Sequence, residues 1–581
     1  MNFMPSLTQA LPLLAVLAPI LLVMGLSVGR AQPVALRLAP WAALPGLVCT
    51  FLSNGADQNV SWLLLGTSLG LDTTGRSFLF LFSVLWLAAG LYTRGYLADD
   101  PEKKRFWIFF LLTMSGNLGL PLARGIIDFY LFFALMSFAA YGLVVHDGSA
   151  AARRAGRLYL SLVLAGEVLL FVGFGLAVHT SQSLLLTDIA RHLATADQRD
   201  LVIGLVLAGF GIKAGIIPLH IWLPLAHPAA PVPASAVLSG AMIKAGLLGL
   251  MRLLPLGEVL LPGWSQVLIF SGVIMAFYGV LVGIVQLQAK TVLAYSSISQ
   301  MGFPLIGLGL GLAQPAAWPL LAPAVIFYAL HHGLAKGALF LGVGMGGAQS
   351  TGLLTRLSLA FLLILPALSL SGGPLTSGAL AKSALKPFIG GAPEIWAASL
   401  PWLLSLAAIG TTLIMARFFF VLHAGPDRGH APTISMWTGL GLTVGGVLLC
   451  AAALVPLGSD RLDVPSPSWG QFWPVATGII LAGVFWIRSR GRTAPQEPVI
   501  PAGDLFAILE TAGRTFSMTT HIVIAKYVAP LQKGAAGIAA TISTTRLFHT
   551  RLPLPAVEPV IRRLPVAGAC FALLLLLLLY L

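Results

Sequence analysis

The chain repeatedly runs for about twenty residues with almost no charge, and about twenty apolar residues is the length a helix needs to cross a bilayer. Such stretches fall near 8–29, 39–53, 77–96, 107–123, 127–146, 158–178, 201–219, 235–254, 265–287, 291–313, 319–346, 354–382, 397–421, 434–456, 472–487 and 565–581. Those at 39–53 and 472–487 are short. Only 9% of the 581 residues are charged, while 57% are apolar. A soluble chain carries roughly 25% charged residues, so this one cannot cover a water-facing surface. The pattern predicts an all-α polytopic membrane protein with about 14–16 transmembrane helices. The first stretch lacks a convincing small-residue cleavage site and is expected to be a retained helix.

The net charge of +14 is distributed as membrane topology requires. Odd-numbered loops up to the thirteenth, with their flanks, hold twelve Lys and Arg, among them Lys103, Lys104, Arg105, Arg153, Arg154 and Arg157; even-numbered loops hold six. That excess places odd loops in the cytoplasm and the N-terminus outside. The same distribution, without any aromatic–basic motif, argues against nucleic acid as a partner. Cys49, Cys450 and Cys570 are far apart in apolar stretches. They have no metal or disulfide spacing and read as core residues.

Residues 488–564 depart from this pattern. They open on Arg488, Arg490 and Arg492, and 503–552 shows mixed helical patterning broken at Pro530. Two alternatives remain open for this stretch. It is a lateral amphipathic helix along the membrane, about 75 Å long if 50 residues are helical, or a tail of short amphipathic helices. An apolar run at 565–581 then anchors the end.

Ionisable residues at membrane depth are costly and point to function. A Lys stem spans about 6 Å, roughly four residues of helix rise, so a lysine further from a span end cannot reach water. Lys244 is eight or nine residues from either end of its span. Lys213 sits just before Gly215 and Pro218, which weaken its helix; Lys382 follows Gly372, Gly373 and Pro374 in a second interrupted helix. Broken helices are where transporters place ion sites. Lys336 shares a helix face with His332, four residues earlier, while His331 points elsewhere. Glu167 is ten residues into the sixth span, and His220 and His227 suit a loop or cap. Each of these alone has a structural alternative, as a satisfied buried charge or a core histidine. Together, several cations and one acid at depth need partners, and a row of them is what proton transfer requires.

These residues lie in motifs. Lys213-Ala-Gly-Ile-Ile-Pro-Leu-His-Ile-Trp-Leu-Pro-Leu-Ala-His227 is followed by Ser235-Ala-Val-Leu-Ser-Gly-Ala-Met-Ile-Lys244. Next come Lys290-Thr-Val-Leu-Ala-Tyr-Ser-Ser-Ile-Ser-Gln-Met-Gly302, then His331-His332-Gly-Leu-Ala-Lys336, and finally Pro374 to Lys382. The ordered set resembles the proton-conducting antiporter-like subunits of respiratory complex I, Mrp-type cation/proton antiporters and membrane-bound hydrogenases. The resemblance runs over about 75–425. It implies N-terminal transmembrane helices over 1–106, two inverted five-helix repeats over 107–254 and 265–421, each with a broken helix, and additional helices over 434–487. It also implies a proton path through Lys213, Lys244, a residue among His331, His332 and Lys336, and Lys382, with His220 on the link between the seventh and eighth spans; all of these are candidate path residues. One position departs from the family. The fifth-span glutamate that partners the seventh-span lysine is replaced by Ala134, and Glu167 is expected to take its place against Lys213, directly or through one water.

The resemblance implies a proton-translocating subunit of a multisubunit, energy-coupled complex in the bacterial cytoplasmic (inner) membrane, working beside other membrane and peripheral subunits. Two alternatives stand beside it: an Mrp-kind subunit exchanging protons with Na⁺ or K⁺, and the membrane half of a proton-motive-force-driven inorganic-carbon uptake complex. A purely structural membrane anchor is the bland reading. No redox motif, nucleotide loop or cysteine cluster is present in the sequence. No cofactor, metal or catalytic residue of the chain's own is therefore expected.

Overall fold

The computed structural model describes residues 7–345 apart from 54, 56 and 61–66, together with 352–424, 432–454, 469–489 and 497–504. Two compact units, Met1–Ala502 and Gly503–Leu581, divide the chain, and the described residues lie almost wholly in the first. The segment expected to be lateral, from residue 505 on, and the last span at 565–581 lie outside the described residues.

Twenty α-helices follow one another among the described residues. They begin with α1 (Leu7–Ser27), α2 (Gln32–Leu38), α3 (Leu44–Leu52), α4 (Thr73–Tyr96), α5 (Lys103–Gly119), α6 (Ile126–Val144), α7 (Ala150–Ser181), α8 (Leu186–Leu193), α9 (Arg199–Ala214) and α10 (Leu223–Ala229). Then come α11 (Val232–Val237), α12 (Ile243–Leu253), α13 (Pro262–Gly283), α14 (Ala289–Ala313), α15 (Trp318–Val343), α16 (Leu353–Ser371), α17 (Ser377–Ala384), α18 (Glu394–Ala424), α19 (Ile434–Leu454) and α20 (Trp469–Ser489). A two-stranded antiparallel hairpin, β1 (Gln58–Val60) and β2 (Thr67–Leu69), lies between α3 and α4.

Among the described residues, eleven of the helical stretches are long and apolar enough to cross a membrane, or twelve if the pair Gln32–Trp41 and Leu44–Leu52, bent by 43°, forms one span. The short 39–53 stretch of the sequence is part of this bent pair. The helices α19 and α20 carry shorter apolar stretches. The helix α5 is 17 residues long and opens on Lys103, Lys104 and Arg105.

Burial sorts the helices into a core and a rim. The helix α15 is buried from Ala324 to Gly342, and α14 from Thr291 to Leu312. By contrast, α7 and α16 expose Val168, Phe171, Leu354 and Phe361, which suits a face turned to lipid. Small residues let the core helices approach closely. A Cβ on Gly302 of α14 would lie 2.3 Å from the Gly272 carbonyl oxygen of α13.

Two spans break where the sequence placed Gly and Pro. The helix α9 ends at Ala214, and Gly215 caps it with φ +76°, a left-handed conformation open to glycine at little cost. Likewise, α16 ends at Ser371 with Gly372 at φ +84°, and Thr376 caps α17 by accepting from the Ala379 N–H. A third irregularity has no such signal: Leu238–Met242 winds as a π-helix between α11 and α12.

An ionic cluster ties the hairpin side of α4 to the end of α12. Asp72 caps α4 by accepting from the Gly75 N–H at 2.7 Å, and also pairs with Arg252 and, at 3.3 Å, with Arg124. Burial pushes the Asp72 carboxyl up, but Arg252, the Gly75 N–H and Arg124 outweigh it and hold the group at about 2, against an ordinary 3.8. A depressed carboxyl contributes stability that is full above its unfolded pKa and disappears as pH falls through its folded one. Asp72→Asn keeps a capping side chain and removes the charge. It is expected to cost about 1–2 kcal/mol at neutral pH. Thermal melting in detergent should show the gap between wild type and variant closing as pH drops from about 4 towards 2.

Candidate functional site

Lys213 ends in a box of aromatic rings. It occupies the last turn of α9, is 2% exposed, and its Nζ donates to Tyr159 Oη at 3.0 Å. The Nζ also lies 4.9 Å from the Tyr159 ring centre, 5.6 Å from that of Trp222 and 5.9 Å from that of Phe133. Ring faces attract a cation that has left water. Tyr159 in turn donates to the Ser137 carbonyl of α6 at 2.8 Å, and Trp222 Nε1 donates to the Ile212 carbonyl at the break at 2.7 Å.

Glu167 is buried on α7, beside the place where α7 crosses α9 through Gly166 and Gly209. Its charge and that of Lys213 interact, yet no ion pair within 4.0 Å joins them among the described residues. The Ser137 hydroxyl lies against the Glu167 carboxyl, and Glu167 Oε2 is buried without a further hydrogen-bond partner. The direct contact expected from the sequence is therefore not made in this conformation, because the amine is held by Tyr159. The α6 residues that reach the amine and its tyrosine are Phe133 and Ser137, four apart on one face; Ala134 is half-buried beside them.

A second group gathers around α12, α14 and α15. Lys244 Nζ donates to the Ser239 carbonyl of the π turn at 2.7 Å. Ser239 Oγ and Ser297 Oγ are 2.7 Å apart, Ser297 Oγ donates to the Leu293 carbonyl at 2.9 Å, and Lys336 Nζ donates to the same carbonyl at 3.1 Å. The two serine hydroxyls thus lie between the carbonyls that Lys244 and Lys336 hold, and neither hydroxyl touches an amine. His332 is fully buried, with neither ring nitrogen hydrogen-bonded, facing Lys244, Lys336 and Lys382.

His331 points away from Lys336, as its helix position requires, and enters the second break. Its Nδ1 lies 3.1 Å from Ser377 Oγ and 3.3 Å from Ser369 Oγ. Half-buried Lys382 reaches back across the break to the carbonyls of Leu370 and Ser371, at 2.8 and 3.2 Å, with its Nζ 5.2 Å from the Phe303 ring centre. The structure brings Lys244, Lys336, His331, His332 and Lys382 together around the two breaks of α11–α12 and α16–α17. No hydrogen bond or ion pair links this group to Lys213 among the described residues.

His220 is buried with its ring against Tyr278, 5.3 Å away. His227 is no loop or cap residue. It is fully buried, stacks on Phe340 at 4.6 Å, and feels the charges of Lys290, Lys336 and Lys244. Tyr159 and the Ser239–Ser297 pair carry no sequence signal that would have marked them.

Hydroxyls both give and accept a proton, whereas carbonyls only hold one in place. A chain of amines, imidazoles and hydroxyls at these distances is suited to proton transfer. Its geometry depends on the seating of α17 against α16. Gly378 N–H donates to Ser369 Oγ at 3.1 Å, and a Cβ there would sit 1.7 Å from the Ser369 carbonyl oxygen and 2.9 Å from His331 Cε1. Gly378→Ala is therefore expected to force α17 off α16 and to cost about 3 kcal/mol or more. Melting temperature and yield of the purified protein measure it.

Residues 123–386 match the family profile described as NADH:quinone oxidoreductase/Mrp antiporter, TM. The chain is 30% identical over 321 residues to an NADH-quinone oxidoreductase subunit N of Beijerinckia indica, covering 54% of this chain and 67% of that one. It is 30% identical over 287 residues to hydrogenase-4 component B of Escherichia coli, covering 48% and 43% of the two chains. The chain spans less than half the length of several curated relatives it matches. Its fold is similar to that of a chain in the membrane-bound sulfane sulfur reductase, an archaeal respiratory membrane complex, with TM-score 0.65 and 21% identity over 96% of this chain and 99% of that one.

Proposed function

This chain belongs to the NADH:quinone oxidoreductase/Mrp antiporter transmembrane family, and on that premise we propose that it is the proton-translocating subunit of a multisubunit, energy-coupled membrane complex. One observation carries the proposal. Lys213, Lys244, Lys336 and Lys382 all sit at membrane depth, and each donates to a neutral oxygen rather than to a carboxylate. A cation at that depth is expensive, and four of them around helix breaks have no use as packing.

In this proposal protons pass among Lys244, Lys336, His331, His332 and Lys382, while Lys213 and Glu167 form a switch at one end and His220 lies on the link leading from it. Residues 107–254 and 265–421 are the two repeats. What supports the division is that each contains one span broken at a left-handed glycine beside a lysine: Gly215 near Lys213, and Gly372 near Lys382. The protein sits in the bacterial cytoplasmic membrane with its N-terminus outside, supported by the excess of basic residues in odd loops. Its driving chemistry comes from partner subunits.

Lys213→Ala, Lys244→Ala and Lys382→Ala should each lower proton-coupled flux by at least tenfold in vesicles containing the whole complex, with assembly unchanged on size exclusion. Loss of the complex itself in all three variants would instead assign these lysines a structural role.

A further inference from the structure

A buried ammonium beside a buried carboxylate normally pairs with it, because each charge offsets the desolvation of the other. Lys213 and Glu167 lie within electrostatic reach and do not pair. The amine instead rests on Tyr159 Oη at 3.0 Å. Several contacts favour that position. Tyr159 Oη donates to the Ser137 carbonyl at 2.8 Å, which polarises the oxygen that receives the lysine. Three ring faces, those of Tyr159, Trp222 and Phe133, lie within 6 Å of the Nζ, at 4.9, 5.6 and 5.9 Å. Tyr159 packs edge-on against Trp222 at 5.2 Å, and Trp222 is pinned to the carbonyl freed at the α9 break.

The other position is also prepared. The Ser137 hydroxyl lies against the buried Glu167 carboxyl, whose Oε2 has no further partner. A buried polar atom without a partner carries the cost of its lost hydration, so Glu167 Oε2 is suited to accept an amine. Ser137 serves both positions, with its carbonyl holding Tyr159 and its hydroxyl on the Glu167 carboxyl.

We propose that Tyr159 is the positioning residue of a two-position switch in which the Lys213 amine alternates between Tyr159 and Glu167. The inference rests on the proposed role of Lys213 in proton transfer. No covalent bond to the Lys213 nitrogen need change as the side chain swings. When the ammonium leaves, the isolated Glu167 carboxylate takes up one proton; when it returns, that proton is released and the ion pair forms. Tyr159 thus supplies the holding oxygen for the detached state, which a chain with Ala134 in the fifth span otherwise lacks.

The test uses the assembled complex in vesicles with Tyr159→Phe, Glu167→Gln, the double variant and Lys213→Ala. Tyr159→Phe keeps the ring and removes the oxygen. The amine should then stay on Glu167, flux should fall at least fivefold, and the infrared carboxylate band of Glu167, assigned by its loss in Glu167→Gln, should grow. The double variant should lose no more flux than Glu167→Gln alone, because without the acid there is nothing for Tyr159 to compete with. A fluorinated tyrosine placed at 159 leaves the ring in place and weakens the oxygen as an acceptor, so it should shift the band the same way even if Tyr159→Phe fails to assemble. Wild-type flux with an unchanged band, or losses that multiply in the double variant, would overturn the switch. Full flux in Lys213→Ala would overturn the underlying transport role as well, and so separates the two failures.

Discussion

Everything in the centre of this protein depends on backbone carbonyls that are not consumed by helix hydrogen bonding. Within hydrocarbon each backbone polar group must find a partner inside the protein. Where the chain leaves α geometry, carbonyl oxygens become available, and here lysine ammonium groups take them. Lys382 holds the carbonyls of Leu370 and Ser371 at one break, and Lys244 holds that of Ser239 in the π turn. Lys290 does the same with Ala230 at 2.6 Å, just before α11 begins. The breaks and the lysines are therefore two halves of one arrangement. Lys336 is the exception, since it shares the Leu293 carbonyl inside the continuous helix α14 with the Ser297 hydroxyl.

Close packing sets where these groups meet. The crossing of α7 and α9 at Gly166 and Gly209 brings Glu167 within reach of Lys213, and the contact of α12 with α9 at Gly246 leaves only 2.7 Å between a Cβ there and the Phe210 carbonyl oxygen. Sub-ångström shifts in such contacts decide whether an amine reaches a tyrosine or a carboxylate. The rim helices α7 and α16 turn apolar side chains outward and leave the polar groups on the inner faces. The same sequence thus makes one helix both a lipid-facing wall and the carrier of Tyr159 and Glu167.

Much of this was legible in the sequence, for identifiable reasons. Membrane depth follows from counting residues to the nearest span end, which located Lys213, Lys244, Lys336 and Glu167. The breaks at Gly215 and Gly372 follow from Gly and Pro chemistry. What the sequence hid depends on tertiary approach. Tyr159 reads as an ordinary aromatic at the start of a span, and Ser239 and Ser297 are 58 residues apart with nothing to pair them. The π turn at Leu238–Met242 carries no breaker stronger than Gly240. His227 suggested a cap because two prolines flank it, yet neighbouring helices close over it. Of the expected Glu167–Lys213 contact, direct or through one water, the direct form is not made because a neutral oxygen, that of Tyr159, holds the amine, although the two charges do interact.

The sign of the charges completes the argument. Lys244, Lys336, His331, His332 and Lys382 face one another, and the electrostatic neighbours found for these histidines and for Lys336 are cations. Asp128, the acid of the fifth span, is already tied at the start of α6 by the Ser68 N–H at 3.1 Å. Two like charges 4 Å apart repel by about 4 kcal/mol at an effective dielectric of about 20. Such a group cannot carry a proton on every member at once. A proton arriving on one site makes the next site poorer, and the carbonyls that hold the amines, being neutral, do not fix which site is filled. In the proposed path the protons would then titrate as a set rather than residue by residue. Among the described residues Glu167 is the one acid that bears on Lys213, so in that proposal the Lys213 end is where the pairing or release of a single amine biases the first step of the set.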